Sequence, residues 1–176
     1  MSSAAKPSIG PDPDFNIVEI WLRRDPARWM AGAFGGLFAA FMMWAFTAIL
    51  MRSAGHEGWF LLKAFAVPLI GGKAMATGFH LHAILTGGAI FALLSVVLGM
   101  VYAHFTGTNK VGPLLAMGVV WGAFSWVFLN NLFSASFREL FVLQIPKGPA
   151  LFAWMVFGLS LASVSFFDRM FHAGKR

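Results

Sequence analysis

The histidines are the side chains in this sequence best suited to hold a cofactor, because the chain contains no cysteine. A haem held inside one helix bundle needs two imidazoles at the same depth. His80 and His104 are 24 residues apart, which is about 36 Å along a helix, so they lie at opposite ends. His80 and His82 share a depth but point about 200° apart. His82 is therefore the best candidate for cofactor binding, as the single ligand of a pigment magnesium or of a haem shared with another subunit.

A metal site is the second chemistry to consider, because imidazole and carboxylate groups suit zinc or copper. His56, Glu57, His80 and His82 are all predicted near one membrane surface, but their spacing matches no compact ligand motif. We interpret them as solvated side chains at headgroup level and predict no metal ligand.

No apolar block has an acidic or basic residue in its middle, and no serine has a histidine–carboxylate pair nearby. The sequence therefore predicts no catalytic residue and no enzyme.

Composition indicates that these side chains belong to a membrane protein. Hydrophobic residues make up 59% of the chain and charged residues 11%, whereas soluble domains carry roughly 25% charged residues. The net charge of +6 comes from basic residues that flank the apolar blocks, as membrane anchors do. No basic patch with interleaved aromatics is present, so we predict membrane lipids as partners and no nucleic acid.

Four apolar blocks are long enough to cross about 30 Å of hydrocarbon as helices. Asp25 and Pro26 suit the cap and the first position of the first helix. The predicted fold class is an all-α integral membrane protein, an antiparallel bundle of four transmembrane helices with an N-terminal interfacial helix and two apolar interfacial segments. The predicted organisation is a disordered tail 1–14, an interfacial amphipathic helix 15–24, a membrane domain 25–170 with spans at about 29–51, 79–103, 111–133 and 149–167, apolar segments at 59–72 and 137–146, and a basic tail 171–176.

Small residues recur at helical spacing in every predicted span. In the second span they fall within an arc of roughly 80°. Hydrophobic force does not drive helices together in lipid, so close backbone approach along small residues supplies the van der Waals contact instead. We therefore predict helix packing, and no cofactor binding, along these stripes. The predicted packing residues are Gly32, Gly36, Gly88, Ala92, Ser95, Gly99, Gly118, Gly122, Gly158 and Ala162.

Basic residues predict the orientation of the spans. Eight Lys and Arg residues lie on the side that holds both termini and five on the other side, which favours cytoplasmic termini.

The stretch SVVLGMVYA, residues 95–103, followed by a short hairpin, resembles a broad group of small, uncharacterised bacterial four-span membrane proteins. That resemblance covers mainly spans two and three. It implies a bacterial cytoplasmic (inner) membrane and no assigned activity.

These observations favour a non-catalytic integral membrane subunit that packs against other integral membrane subunits and stabilises a larger complex. Two alternatives stay open. One is a pigment-, haem- or quinone-binding electron-transfer subunit. The other is an oligomeric small-solute channel or carrier, for which Thr47, Ser95, Ser125 and Ser163 are among the few polar side chains within the spans.

Overall fold

The protein is described by a computed structural model that covers residues 25–142 and 147–173, with the backbone alone for 130–142 and 147–148. Its described part is all-helical and contains no strand, as predicted. Two short 3₁₀ turns, Gly72–Met75 and Leu161–Ser163, interrupt the helices. The helices are α1 Pro26–Ser53, α2 Phe60–Ile70, α3 Leu81–Phe105, α4 Val111–Val142, α5 Lys147–Ser160 and α6 Val164–Ala173.

Four stretches are long and apolar enough to cross a membrane, which confirms the predicted number of candidate spans. They are Pro26–Ser53, Leu81–Phe105, Val111–Leu129 and Pro149–Ala173. The fourth stretch is not one continuous helix, because the 3₁₀ turn Leu161–Ser163 separates α5 from α6. The predicted tail 1–14, the predicted interfacial helix 15–24 and residues 174–176 lie outside the described residues.

The start of α1 confirms the predicted cap. The Asp25 side chain accepts hydrogen bonds from the backbone N–H groups of Ala27 and Arg28, at 3.1 and 3.3 Å. Pro26 occupies the first turn, where its missing N–H leaves no helical bond unmade. This cap fixes the direction in which the chain enters the first apolar helix, and it places Arg28 one turn inside that helix.

Glycines bring α1 and α3 into backbone contact. A Cβ atom added at Gly32 would lie 2.6 Å from the carbonyl oxygen of Gly99, and one added at Gly36 would collide with the Ser95 carbonyl. The contact thus runs from Gly32 against Gly99 and Ala103 to Gly36 against Ser95. Only residues without a bulky side chain permit this approach, so the small residues set the separation of the two helices.

A second glycine contact joins α4 to α5. Carbonyl oxygens of Gly118 and Gly158 each occupy the space that a side chain on the other would need, and Gly122 faces the Trp154 carbonyl in the same way. Ala162 lies in the following 3₁₀ turn and packs, partly buried, on the main hydrophobic core.

A hydrogen bond also joins α3 to α4. The hydroxyl of Tyr102, near the end of α3, donates to the Leu114 carbonyl at the start of α4, at 2.6 Å.

Gly88 does not take part in close packing, in contrast to the sequence prediction. A side chain added at Gly88 would meet no atom of the described residues within 4 Å, whereas one added at the neighbouring Gly87 would collide with the Leu62 carbonyl of α2. Ala92 lines an open groove between α1, α2 and α3. The close backbone contact of α3 is therefore with α2 at Gly87 in its first half, and with α1 at Ser95 and Gly99 in its second half.

The two predicted apolar segments take different forms. Most of 59–72 folds into α2, an 11-residue helix that packs along α3 and includes Pro68. The first part of 137–146 is the continuous end of α4, which runs without interruption to Val142. Residues 143–146 lie outside the described part of the chain.

Candidate functional site

The most elaborate polar arrangement in the described residues is built around Arg28, at the start of α1. Arg28 is 7% exposed. Its Nε donates to the Ala103 carbonyl at 2.8 Å, and its Nη2 donates to the carbonyls of Thr106 and Thr108, the latter at 3.0 Å. The guanidinium thus satisfies three backbone acceptors at the end of α3 and in the turn that follows it.

The other side of the guanidinium faces a carboxylate and an amide. Nη1 of Arg28 donates to Asn109 Oδ1 at 2.9 Å and to Asp168 Oδ2 at 3.4 Å. Asn109 in turn donates its Nδ2 to the same Asp168 oxygen at 2.7 Å. Asp168 belongs to α6 and is 4% exposed. One buried ion pair therefore joins α1, the turn between α3 and α4, and the last helix.

His172 completes this arrangement at the protein surface. Its Nδ1 lies 2.9 Å from the Asp168 backbone carbonyl and 3.5 Å from Asp168 Oδ1, and its Nε2 lies 3.7 Å from Asp25 Oδ2. Asp168 Oδ1 is buried and accepts no hydrogen bond within the described structure. We call this group of side chains the Arg28 cluster, and it consists of Asp25, Arg28, Asn109, Asp168 and His172.

A second polar group lies beyond the other end of α3. Lys63, 2% exposed on α2, donates its ammonium to the Glu57 carboxylate and to the carbonyls of Ala76, at 2.8 Å, and Gly78. The other Glu57 oxygen accepts from the Gly78 backbone N–H. The hydrogen bond from Lys63, followed by the one from Gly78, lowers the pKa of Glu57 below its ordinary value. Lys63 and Glu57 therefore fasten α2 to the segment that leads into α3.

The histidines are not gathered into one site. His80 contacts the Thr77 carbonyl at one end of α3, while His104 packs its ring against Trp29 at the other end. His82, the predicted cofactor ligand, is an exposed residue at the start of α3. Among the described residues no group of three His, Asp or Glu side chains could hold a metal ion. Glu57, which belongs to the metal set considered from sequence, is bonded to Lys63.

Among the described residues, cavities against the spans include the following two. An open apolar groove of about 280 Å³ lies between α1, α2 and α3 and is lined in part by Phe41, Trp44, Trp59 and Phe91, with Trp44 and Trp59 stacked at 5.7 Å. A smaller, partly open cavity of about 30 Å³ lies beside Thr47, which is room for about one water molecule. The Thr47 hydroxyl itself donates to the Met43 carbonyl at 2.8 Å.

Sequence reasoning treated Arg28 and Lys63 as charges at the ends of apolar blocks, and it did not anticipate their partners. The available signals were Asp168 and Asn109, since a carboxylate and an amide at two other helix ends suit a guanidinium. Comparisons with family models, with curated proteins and with solved structures find no match to this chain.

Proposed function

We propose that this chain is a four-span integral membrane protein, arranged as an antiparallel bundle, that acts as a non-catalytic subunit and packs against other integral membrane proteins. The single observation that carries the proposal is a row of aromatic rings on α4 whose last two members are exposed. The row, called here the aromatic ridge, consists of Trp121, which is partly buried against the core, followed by Phe124 and Phe128, and its ring centroids are 5.5 and 5.9 Å apart along the helix. Phe124 and Phe128 are about half exposed.

Among the described residues, the ridge belongs to the apolar stretch that the rest of the protein covers least. Of the apolar stretch Val111–Leu129, 22% is buried, compared with 39% for the first and fourth stretches. Its contacts with the other described elements are concentrated on α5, along Gly118 and Gly122. Helix association in lipid depends on complementary shape and on van der Waals contact. A row of rigid aromatic rings offers a large surface of fixed shape that another helix can contact. These features favour a protein neighbour for this face.

The length of α4 also supports a role in assembly. Its 32 residues correspond to about 48 Å of helix, which exceeds the hydrocarbon thickness of about 30 Å. One end of α4 therefore extends past the hydrocarbon region, where it can contact a neighbouring subunit at the membrane surface. The proposed location is a bacterial cytoplasmic membrane with both termini in the cytoplasm. The placement of the termini rests on the distribution of basic residues.

The proposal is tested by site-specific photo-crosslinking in native membranes. A photoreactive residue placed at Phe124, 51% exposed on α4, is expected to give discrete adducts with one or a few membrane proteins. The matched control is Val97, 49% exposed on α3, where adducts should be mainly with lipid. Equal protein adducts from both positions, or none from Phe124, would count against the proposal.

A pair of substitutions gives a second test. Replacing Phe124 and Phe128 by alanine should release the partner during gentle solubilisation while leaving the thermal stability of the chain itself nearly unchanged, because both rings are half exposed. Purification of the parent chain as a lone monomer from native membranes would overturn the proposal.

A further inference from the structure

The open groove of about 280 Å³ between α1, α2 and α3 follows the first span toward its end. On α1 its wall extends from Leu37, near the middle of the helix, to Trp44, about 10 Å closer to the end. Trp59, at the start of α2, continues this wall and stacks on Trp44 at 5.7 Å. In a chain that spans a membrane, the groove therefore runs from mid-depth toward one interface and is open to the surrounding lipid.

The walls of this groove suit a hydrocarbon chain and not a flat redox cofactor. Every lining side chain is aliphatic or aromatic, and the only hydrogen-bonding groups among them are the indoles of Trp44 and Trp59. The indole nitrogen of Trp44 is buried away from the surface. A quinone needs donors for its carbonyl oxygens, and cofactor pockets supply a few such polar groups. A methylene chain needs none, because van der Waals contact alone holds it along the wall.

A cationic side chain lies at the interfacial end of the groove. Arg52 is exposed in the last turn of α1. Its side chain reaches the residue before Trp59, since a Cβ placed on Gly58 would lie 3.2 Å from Arg52 Nε. No carboxylate of the described residues pairs with Arg52, and the nearby Glu57 is bonded to Lys63. A guanidinium in this position suits a phosphate group, which it can bind through two parallel N–H donors.

We propose that the groove and Arg52 form one binding site for an anionic phospholipid, whose acyl chain lies along the groove and whose phosphate accepts hydrogen bonds from the guanidinium. The two parts of the site thus match the two parts of one lipid molecule. A zwitterionic lipid carries an ammonium group that already balances its phosphate, so the site should favour a headgroup with net negative charge. The aromatic ridge of α4 takes no part in this site, so either proposal can fail without the other.

The first test measures the lipid preference of the purified chain. Dioleoyl phosphatidylglycerol and dioleoyl phosphatidylcholine have the same acyl chains and differ in headgroup charge. Each is titrated into the detergent-solubilised protein, and native mass spectrometry measures the fraction of protein that retains a lipid. We expect phosphatidylglycerol to bind about fivefold more tightly, which is the effect of one arginine close to an anionic headgroup. Equal affinity for the two lipids would overturn the proposal.

Arg52→Gln tests the headgroup contact. We expect the affinity for phosphatidylglycerol to fall about fivefold, to the level of phosphatidylcholine, while the affinity for phosphatidylcholine stays unchanged. The matched control is Arg169→Gln, which removes the same charge from an exposed position on α6, beside the ion pair of Asp168 with Arg28. This control should keep the preference of the parent. An equal loss in both variants would assign the preference to the net charge of the chain and would overturn the site.

Ala92→Phe tests the acyl-chain contact. Ala92 lines the groove on α3, and a phenyl ring there would occupy the space that the proposal gives to the acyl chain. Both lipids should bind more weakly by a similar factor. Ala89→Phe adds the same ring at an exposed position of α3 that does not line the groove, and it should bind both lipids as the parent does. Thermal unfolding in detergent without lipid shows whether each variant is folded.

Two outcomes of this last comparison would overturn the proposal. A folded Ala92→Phe variant with the parent's affinity for both lipids would exclude the acyl chain from the groove. A change of oligomeric state in Ala92→Phe, with lipid binding unchanged, would assign the groove to a second copy of the chain.

Discussion

At the scale of single residues, Arg28 has the largest structural role of any charged side chain described. Its guanidinium joins partners 75 to 140 residues away in sequence, so it fastens three chain segments that have no local reason to meet. The five N–H donors of arginine suit such a junction, whereas lysine offers a single ammonium. The nearby Asp168 is buried, and this guanidinium and Asn109 both donate hydrogen bonds to its carboxylate.

Removing either charge of this pair should strongly destabilise the protein. Arg28→Gln leaves Asp168 buried without its counter-ion, and loss of one partner of a buried ion pair typically costs about 3–5 kcal/mol. Arg52→Gln, on an exposed side chain at the other end of α1, should change the free energy of unfolding by less than about 0.5 kcal/mol. Denaturant titration in detergent micelles measures both. If the double variant Arg28→Met/Asp168→Leu lost as much stability as the single variants Arg28→Met and Asp168→Leu added together, the two residues would not be coupled.

Glu57 should make the stability of the protein depend on acid pH. Its pKa is lowered in the folded protein, first by the hydrogen bond from Lys63 and then by that from Gly78. The carboxylate therefore contributes stability that is complete above the unfolded value of about 4.3 and is lost as the pH falls through the lower folded pKa. Thermal unfolding between pH 3 and 6 should show a decline toward acid that is smaller in Glu57→Gln. Parallel curves for the two proteins would contradict this assignment.

Whether the sequence predicts the role of a polar residue depends on how far away in the sequence its bonding partners lie. Asp25 was predictable as a cap, because its partners are two and three residues away. Arg28 was not, because a basic residue at the end of an apolar block has the same sequence signature whether it reaches toward headgroups or enters a buried ion pair. The choice depends on Asp168, which is 140 residues away.

At the scale of helices, the separation of α1 and α3 depends on glycine. Gly99→Val should destabilise the protein by about 1–3 kcal/mol or more, because the added carbons would overlap the backbone of Gly32 and Gly36. Gly88→Val on the same helix is the matched control, since a Cβ there meets nothing within 4 Å. Equal losses of stability in the two variants, measured by denaturant titration, would contradict a specific backbone contact at Gly99.

The difference between Gly88 and Gly87 shows what a periodic pattern can and cannot specify. The spacing of small residues predicted one continuous stripe along α3, which would follow if α3 had a single neighbour throughout. Instead α2 packs on the first half of α3 and α1 on the second half. The two neighbours approach different faces, so the close contact moves from Gly99 and Ser95 to Gly87. Because α2 is only 11 residues long and contains Lys63 and Pro68, the sequence alone did not identify it as a packing partner.

At the scale of the whole molecule, the polar clusters lie at opposite ends of α3. The Arg28 cluster contacts Ala103 near its end, and Lys63 contacts Gly78 just before its start. Both clusters fasten helix ends to connecting segments, and between them the helices meet through glycine contacts and apolar side chains. In a protein that spans a membrane, this distribution places the strongest polar interactions near the two interfaces and leaves the interior to close packing.

The predicted orientation of the molecule can be re-examined by leaving out the basic residues that take part in the two ion pairs. If Arg28 and Lys63, each buried against a carboxylate, are removed from the count, the basic residues number seven on the side of the termini and four on the other side. The bias thus persists and predicts cytoplasmic termini.

Single cysteines introduced at Lys110 and at Lys73, both exposed, test the predicted orientation, because the chain has no cysteine of its own. In intact cells a membrane-impermeant thiol reagent should label Lys73→Cys, while Lys110→Cys should react only after the cells are opened. The reverse pattern would invert the topology, and labelling of both positions in intact cells would exclude a span between them.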